Sequence, residues 1–414
     1  MHRVIVWGTG FVGKAVLKSL LGHPAFEVAG VVVHDPAKDG RDVGEIVGGP
    51  RTGIVATRDA SSVLAREADA VAYFGPNMMQ AGANMANIEA ALRAGKNVVD
   101  TSMGIFHYPP LIPAALRERI AQACAAGGTS FFSNGIDPGF ANDLFPMTLL
   151  GLCGQVESVR TTEFIDGGSY PDQASLRFMG LYSKMDETPP LEANPGMMTG
   201  IWGGPLYMIA QAVGVHIERT QENYSRWTGT RAVEFEQGRV LPGETAAHRI
   251  ELQGIVDGRP RIIIDHVHRL YPDAAPDWPR PRLDKAHANR VEIIGRPNIV
   301  QETVFCDADT GDGNGGGCLA TGMRVFNAIP AVCSAPPGIL SALDLPLIAG
   351  RGVIRADGLR SRSGMPGCPV SVADPRSGPH RRVGKFYSPA RTQWPAPSTH
   401  PKPCCFAKTF RSVA

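Results

Sequence analysis

A glycine-rich turn near the amino terminus constrains the fold of this chain more than any other feature. Residues 4–16 read VIVWGTGFVGKAV: an apolar run leads into the turn, and a helical apolar periodicity follows it. In this strand–turn–helix context the pattern G-x-G-x-x-G binds a dinucleotide. Gly8 would permit the tight turn, Gly10 would let the backbone approach a pyrophosphate, and Gly13 would let the helix pack on the strand.

The free N–H groups at the start of such a helix face the phosphates of the ligand. The predicted cofactor-binding residues of the turn are therefore Gly8, Thr9, Gly10, Phe11, Val12 and Gly13. The alternative interpretation is an incidental glycine turn in an α/β domain.

The first 135 residues alternate apolar strands with amphipathic helices. Strands are predicted at 3–7, 27–33, 52–57, 70–74, 97–101 and 129–133, and helices at 11–21, 61–67, 80–94 and 111–125. This alternation favours a parallel sheet covered on both faces. We therefore expect an α/β fold whose domain 1–135 is a doubly wound Rossmann-type sheet that binds NAD(P).

After residue 135 the pattern changes to longer period-2 runs. These lie at 157–165, 249–255, 260–270 and 290–294, with a helical stretch at 143–152 and a hairpin signal at Asp257-Gly258. They predict a second, α+β domain over 136–350 with a largely antiparallel sheet. A last helix, 319–328, is expected to end at Pro330 and to return towards the first domain.

Residues 351–414 are predicted to be a disordered basic tail. The segment is rich in Pro, Arg and Ser, and from residue 352 onward it holds eight Arg and three Lys but only two Asp. Such a composition cannot bury enough apolar surface to offset the entropy of ordering. Attraction of the tail to RNA or to a membrane is the alternative.

Composition excludes several other classes of protein. No apolar run approaches the roughly 20 residues that span a bilayer, and no leader-like pattern opens the chain, so a cytoplasmic location is expected. The net charge of +2 gives no reason to expect nucleic acid as a partner. The eight cysteines form no C-x-x-C pair, and they resemble neither a zinc site nor a disulfide framework.

The residues after the second strand bear on the choice of dinucleotide. An acid at this strand's end would bind the ribose hydroxyls of NAD, whereas basic side chains attract the 2′-phosphate of NADP. The sequence offers His34, Asp35 and Lys38. This mixture favours NADP(H), with NAD(H) possible. Gly75 and Pro76, after the fourth strand, are expected to border the cofactor. The alternative is that they only form the turn between this strand and the next helix.

Several motifs together resemble the 2,4-diaminopentanoate dehydrogenase and native amine dehydrogenase family, whose N-terminal domain is similar to that of dihydrodipicolinate reductase. They are GTGFVGKAV, FGPNMM, DTSMGIFHYPP, NGIDPGF, APDWP and RVFNAIPAVCSAPPGILSALDLPLI, and the resemblance covers residues 3 to 350. It implies reversible, NAD(P)-dependent conversion of a carbonyl or imine to an amine, in a homodimer whose second domain builds the substrate pocket. By analogy, Asn327 would lie near the nicotinamide and Phe140 would form a pocket wall.

One departure from the family concerns the substrate. Members usually carry an acidic pair shortly before the dipeptide that is Tyr108-Pro109 here, and alignment on that dipeptide puts Gly104 and Ile105 in those places. A carboxylate there would bind the substrate ammonium and exchange protons with it. The chain also lacks the S-H-H and K-x-x-x-P-S-G-T runs of true dihydrodipicolinate reductases. The resemblance therefore supports a prediction of the fold more strongly than a prediction of the substrate.

Candidate proton donors follow the fifth and sixth strands, whose carboxyl ends should border the ligand crevice. The predicted catalytic residues are His107, Ser102 and Tyr170, and the predicted substrate-pocket residues are Tyr108, Asn134 and Phe140. His107 is attractive because an unperturbed imidazole titrates near pH 6.5. A loop histidine packed beside Tyr108 is the alternative. Asp137 fits an N-cap for a helix beginning near Pro138 as well as it fits a catalytic role.

Two further features are given structural interpretations. His266 and His268 lie two apart in a strand, so their rings share a face; with no third ligand at a recognisable spacing, cross-strand packing is favoured and no metal site is predicted. Residues 311–317, GDGNGGG, lack the ending of a phosphate-binding P-loop and are expected to be a mobile surface loop.

The sequence thus predicts an oxidoreductase that transfers hydride between a nicotinamide and a small carbonyl, imine or amine. Loss of the acidic pair leaves one alternative from another class, a catalytically impaired dinucleotide-binding sensor or scaffold. A nucleic-acid-binding role for the basic tail is a third possibility.

Overall fold

The structure is a computed structural model that describes residues 1–76, 80–283 and 287–354. Disorder is predicted for the tail, residues 351–414, and residues 355–414 lie outside the described part of the chain. So do Asn77, Met78 and Met79 of the FGPNMM motif. No helix within the described ranges is long and apolar enough to cross a bilayer.

The amino-terminal third alternates strands and helices as predicted. Its strands are β1 (His2–Trp7), β2 (Phe26–Val32), β3 (Ala56–Thr57), β4 (Ala70–Tyr73), β5 (Asn97–Asp100) and β6 (Ser130–Ser133). Its helices are α1 (Phe11–Leu20), α2 (Val43–Val47), α3 (Ala60–Leu64), α4 (Ala81–Arg93) and α5 (Ala114–Gly127).

The third strand is shorter than the predicted 52–57. The backbone N–H groups of Thr52 and Gly53 donate to the Asp42 carboxylate, at 3.0 and 2.8 Å, instead of to a neighbouring strand. A carboxylate that accepts local backbone donors competes with strand pairing in this way. Only Ala56 and Thr57 remain to pair with β2.

The second region carries a mixed six-stranded sheet. Its helices are α6 (Leu144–Leu150), α7 (Gln173–Phe178), α8 (Pro190–Ala193) and α9 (Met197–Val213). Its strands are β7 (Gln155–Asp166), β8 (Arg219–Thr228), β9 (Val233–Phe235), β10 (Gly238–Val240), β11 (Thr245–Val256), β12 (Arg259–Arg269), β13 (Ala288–Arg296) and β14 (Ile299–Thr303). The sheet order is β14-β13-β7-β12-β11-β8, and only β7 and β12 pair in parallel within it. The predicted hairpin at Asp257-Gly258 is confirmed, with φ of 51° and 69°.

The chain then returns to its first layer through α10 (Gly313–Ser334) and β15 (Gly338–Leu340). The strand β15 pairs with β6 and completes a parallel sheet of order β15-β6-β5-β4-β1-β2-β3. The predicted doubly wound α/β architecture with a second α+β region is confirmed. From α10, Val325, Phe326 and Ile329 pack into the same apolar core as Val4 and Leu17.

Helix α10 corrects two predictions. It begins inside the glycine-rich run that was expected to be a loop, because the Asp312 carboxylate caps it by accepting the N–H of Gly315 at 2.6 Å. It also continues past Pro330 to Ser334. Glycine is needed at position 322, since a Cβ there would stand 1.8 Å from a methyl of Val16 on α1. Gly322, which follows the glycine-rich run in the same helix, therefore lies at a close contact between α10 and α1.

Candidate active site

The glycine-rich turn has the close backbone contacts that the motif predicts. Gly8 adopts φ +106°, and a Cβ on it would stand 2.1 Å from the Phe74 carbonyl oxygen. Gly13 has a helical backbone, yet its Cβ would stand 2.0 Å from the Gly8 carbonyl oxygen. Both positions therefore exclude a side chain, the first by conformation and contact and the second by contact alone.

The start of α1 is open. Gly10 precedes the helix and supplies no side-chain cap, and no atom of the described chain lies within 4 Å of a Cβ built on it. The N–H groups of a first helical turn lack intrahelical partners and attract anions. This uncapped turn with free space at Gly10 fits the diphosphate of a dinucleotide.

Of the predicted residues after β2, Lys38 contacts this turn. The Lys38 ammonium donates to the Thr9 carbonyl oxygen at 2.9 Å, which holds a positive charge beside the turn. The Asp35 carboxylate accepts the N–H of Ala37 at 2.9 Å and so caps a short turn of its own. His34 is exposed. Pro76 is also exposed, and its carbonyl accepts a hydrogen bond from Asn84 at 2.8 Å.

A cavity of about 350 Å³ lies between this turn and the six-stranded sheet. From the first layer it is lined by Val12, Gly75, Thr101 and Ser102; from the sheet and the loop after β7 by Glu163, Ile165, Tyr170 and His268; and from α9 and α10 by Ile201, Trp202, Asn314 and Thr321. It thus borders the carboxyl ends of β1, β4 and β5, where a doubly wound sheet binds its ligand. Of the predicted site residues, Val12, Gly75, Ser102 and Tyr170 line it.

Two buried carboxylates face this cavity, Asp137 after β6 and Glu163 on β7. Their side chains are 3% and 12% exposed. A carboxylate oxygen of each and a ring nitrogen of His266 all lie within 4.8 Å of one another. Among the described residues, neither acid has a Lys or Arg within ion-pair distance; the titratable side chains at that distance are His266 for Asp137 and His268 for Glu163.

Asp137 is held by two donors. The indole Nε1–H of Trp202 and Nε2–H of His266 both donate to its Oδ1, at 3.0 and 2.9 Å. The predicted helix beginning near Pro138 is wrong: the next helix starts at Leu144, and Asp143 is the residue that caps it. Asp137 is therefore free of a capping role, and its carboxylate faces the cavity.

Glu163 is the most strongly perturbed acid of the site. Burial raises its pKa well above the ordinary value, and the nearby charge of Asp137 raises it further. Tyr170 lies near both acids, and burial likewise raises the pKa of its phenol. A carboxyl group whose pKa is raised can exchange protons near neutral pH.

The cluster is spaced closely enough for a metal ion, but its hydrogen bonds favour acid–base chemistry. In the tautomer that donates from Nε2 to Asp137, His266 has no lone pair on this nitrogen for a cation. Asp137 Oδ1 already accepts two hydrogen bonds.

Ser102 is oriented by a buried acid of the first layer. Its hydroxyl donates to Asp100 Oδ1 at 2.6 Å, and the Asp100 carboxylate also accepts the N–H of Met103 and the hydroxyl of Ser133. Burial raises the pKa of Asp100. Because the Ser102 hydrogen is used in this bond, its oxygen lone pairs remain available as acceptors on the cavity side.

Comparison with known proteins agrees with this architecture. The family model for the 2,4-diaminopentanoate dehydrogenase C-terminal domain matches residues 140–355, and that for the dihydrodipicolinate reductase N-terminus matches residues 2–105. An amine dehydrogenase of Streptomyces virginiae is 37% identical over 350 residues, which cover 84% of this chain and 97% of that protein. The chain belongs to the 2,4-diaminopentanoate dehydrogenase and amine dehydrogenase family.

More distant members are similar along the same length. The 2,4-diaminopentanoate dehydrogenase of Acetoanaerobium sticklandii is 23% identical over 83% of this chain and 93% of its own. The solved structure of an amine dehydrogenase from Mycobacterium smegmatis superposes with a TM-score of 0.67 at 19% identity, covering 85% of this chain and 98% of that one. This family member is an NAD(P)-dependent oxidoreductase, and both relatives are dehydrogenases.

His107 lies outside the cavity, although it was predicted to border the ligand crevice. The residue is 2% exposed, its Nδ1–H donates to the Gly104 carbonyl at 2.8 Å, and Gly204 of α9 packs against its Cβ. It does not line the cavity. Burial lowers its pKa, which favours a neutral ring. The packed-histidine alternative describes it better.

Four other predicted residues, the three of the substrate pocket and Asn327, also lie outside the cavity lining, as do the remaining cofactor-binding predictions other than Val12 and Gly75. Tyr108 donates its hydroxyl to Gln211 at 2.6 Å, and Asn134 is fully buried with its Oδ1 accepting the Gly135 N–H. Phe140 stacks on Phe145 with ring centroids 5.6 Å apart.

The fourth, Asn327, is the position that family analogy assigned to the nicotinamide. It lies in a separate cavity with His2, at the amino end of β1 rather than the carboxyl end. The cavity beside the glycine-rich turn is lined instead by residues near the start of α10, namely Asn314, Gly317, Cys318 and Thr321, so the role of Asn327 stays a prediction.

The sequence analysis did not identify Glu163 or Trp202 as site residues. For His268 it predicted the cross-strand packing but not the contact with Glu163. Cross-strand packing is confirmed, since His268 pairs with His248 of β11 in register. The same ring also faces Glu163, with His268 Nε2 3.3 Å from Glu163 Oε2. The shared face of His266 and His268 was the one available signal.

Proposed function

We propose that this protein is an amine dehydrogenase that interconverts a small, largely apolar amine with the corresponding carbonyl compound and ammonium, and that Asp137 and Glu163 replace the family's missing acidic pair. The observation that carries the proposal is the pair of buried carboxylates with no Lys or Arg partner among the described residues. Burying uncompensated acids is costly, so such a pair favours binding of a cation. A substrate ammonium or iminium supplies that charge.

The remaining lining supports an apolar substrate of modest size. Ile136, Ile165, Phe178, Met179 and Ile201 surround the acids within the same cavity of about 350 Å³. Apolar walls with a few convergent polar groups are typical of small-molecule sites.

The reaction divides between the dinucleotide and the side chains. The bound nicotinamide accepts or donates the hydride. In the oxidative direction Glu163 takes a proton from the substrate ammonium, and the neutral amine can then lose hydride from the adjacent carbon to become an iminium. Asp137, held by Trp202 and His266, faces this cation. Water then adds to the iminium carbon, and one of its protons passes to the nitrogen. As the carbonyl forms, ammonia leaves and takes up the second proton to become ammonium, and Glu163 releases the proton that it accepted to solvent.

We further propose that NADP(H) is the preferred dinucleotide. Lys38 supports this, because its ammonium lies beside the glycine-rich turn and would attract a 2′-phosphate. The exposed His34 offers a second basic group, whereas the carboxylate of Asp35 is used in a local cap. We also propose a homodimer, as membership of the family suggests; the mass in solution tests it.

Exchange of one acid tests the proposed reaction. Glu163→Gln should lower kcat for amine oxidation about 100-fold or more, since general acid–base groups contribute 10²–10⁴-fold. NADPH affinity should change less than about twofold, because the side chain acts on the substrate. The control is Glu157→Gln, which removes an exposed acid of the same strand.

The pH dependence has a definite sign. Only the ionised Glu163 can accept a proton, and its raised pKa means that activity in the oxidative direction should rise with pH through a midpoint well above the usual carboxyl value of about 4.3. A Glu163→Gln enzyme with kcat within about threefold of wild type would contradict the assignment. Tight NADPH binding without turnover of any amine or of any carbonyl plus ammonia would instead favour the sensor.

A further inference from the structure

Glu163 is the end of a chain of three buried side chains. His268 Nε2 lies 3.3 Å from Glu163 Oε2, and His268 Nδ1 lies 2.9 Å from His248 Nε2. His268 and His248 are 2% and 0% exposed. His248 Nδ1 has no hydrogen-bond partner within the described residues.

We propose that His248 and His268 are positioning residues that act through one fixed direction of hydrogen bonding, His248 to His268 to Glu163, and thereby stabilise the ionised, proton-accepting form of Glu163. This inference rests on the proposed role of Glu163 in amine oxidation. It adds two residues that act through Glu163.

The unpartnered nitrogen of His248 sets the direction. A neutral imidazole carries one N–H donor and one lone-pair acceptor. A buried donor without a partner is rarer than an incompletely used acceptor, so Nδ1 of His248 should carry the lone pair and Nε2 the hydrogen. That hydrogen can only point to His268 Nδ1, which must then accept. His268 consequently carries its hydrogen on Nε2, directed at the carboxylate of Glu163.

Both rings are suited to remain neutral donors. Burial lowers the pKa of His248 to about 3 and that of His268 well below its ordinary value. A neutral donor to a carboxylate favours the ionised form without placing a competing cation where the substrate ammonium must bind. Among the described residues, the other titratable groups that face this chain are Asp137, His266, Tyr170, His287 and, beside His248, Tyr224 of β8. Among them, Asp137 acts in the opposite sense, because its charge raises the pKa of Glu163.

The pH profile of kcat tests the direction of the chain. His268→Leu removes the donor, so the acidic midpoint of amine oxidation should move to higher pH by about one unit or more, which is about a tenfold lower rate on the acidic side. His268→Gln is the matched control, because its amide can place an N–H near the former Nε2, and its midpoint should stay within about 0.3 unit of wild type. His248→Leu should shift the midpoint in the same direction by less. A role confined to packing would lower kcat at every pH and leave the midpoint unchanged.

A second measurement does not depend on turnover. Nitrogen-15 NMR of the histidine-labelled full chain distinguishes the two neutral tautomers from imidazolium, and the His248→Gln and His268→Gln variants assign the signals. We expect both rings to be neutral with hydrogen on Nε2 at about pH 8, above the ordinary imidazole pKa. Hydrogen on Nδ1 of His268, or a charged ring, would overturn the inference even if Glu163 proved essential. The expected tautomers in a protein that oxidises no amine would overturn the proposed function and leave the hydrogen-bond chain standing.

Discussion

Methyl groups added at Gly10 and at Gly13 should have different consequences, although the two glycines lie in one turn. At Gly13 the new Cβ would stand 2.0 Å from the Gly8 carbonyl oxygen, where an ordinary contact begins at 3.4 Å. The start of α1 must therefore move by more than 1 Å. Overpacking of this kind costs about 1–3 kcal/mol, which corresponds to a Tm about 2–10 °C lower in the dinucleotide-free protein.

At Gly10 the methyl group would meet no atom of the described chain within 4 Å. The Tm of Gly10→Ala should therefore fall by less than about 2 °C, the cost of a poorer residue before the helix. Dinucleotide affinity should nevertheless fall at least tenfold, about 1.4 kcal/mol, because the methyl occupies the space expected for the diphosphate. Titration of each variant with NADPH, followed by fluorescence, measures this directly. A Gly10→Ala protein that binds NADPH within about twofold of wild type would refute the assigned position of the diphosphate.

Two other substitutions test the role of His107 in catalysis and the role of Lys38 in cofactor preference. His107→Gln should leave kcat within about threefold of wild type, because the ring is buried against Gly104 and Gly204 outside the cavity; a loss above about tenfold at unchanged Tm would return His107 to the catalytic candidates. Lys38→Met should reduce the ratio of kcat/KM for NADP⁺ over NAD⁺ about tenfold, since a charge-assisted contact to the 2′-phosphate is lost. Equal losses for both dinucleotides would mean that Lys38 only supports the turn through Thr9.

The fold of the first layer could be predicted from the sequence, because the local hydrophobic pattern there agrees with the strands and helices of the structure. Strands of the buried parallel sheet appear as short apolar runs, and Gly8 and Gly13 of the turn have contacts that no other residue could make. Helix α10 was harder to recognise. Its first turns are rich in glycine, whose intrinsic preference opposes a helix, and only the Asp312 cap and the close approach to α1 reveal why the helix forms there.

The acid–base cluster could not be found from local patterns, because its members converge only in three dimensions. Glu163 sits in a period-2 strand where an acid normally faces solvent, and Asp137 precedes a proline in a loop that also suits a helix cap. Their proximity depends on how the loop after β6 meets the six-stranded sheet. Family alignment also misled, since it located the missing acids at Gly104 and Ile105 without indicating that carboxylates from other segments occupy the cavity.

The return of α10 and β15 to the first sheet has a consequence for biosynthesis. When β6 leaves the ribosome, the apolar side chains around Val4 and Leu17 still lack Val325, Phe326 and Ile329, their eventual neighbours. Translation at about 5–20 residues per second leaves that surface waiting for roughly 10–40 s. During that interval the nascent amino-terminal third exposes an apolar surface to which other proteins can bind. Its folding can be completed only after the second region, α10 and β15 have been synthesised.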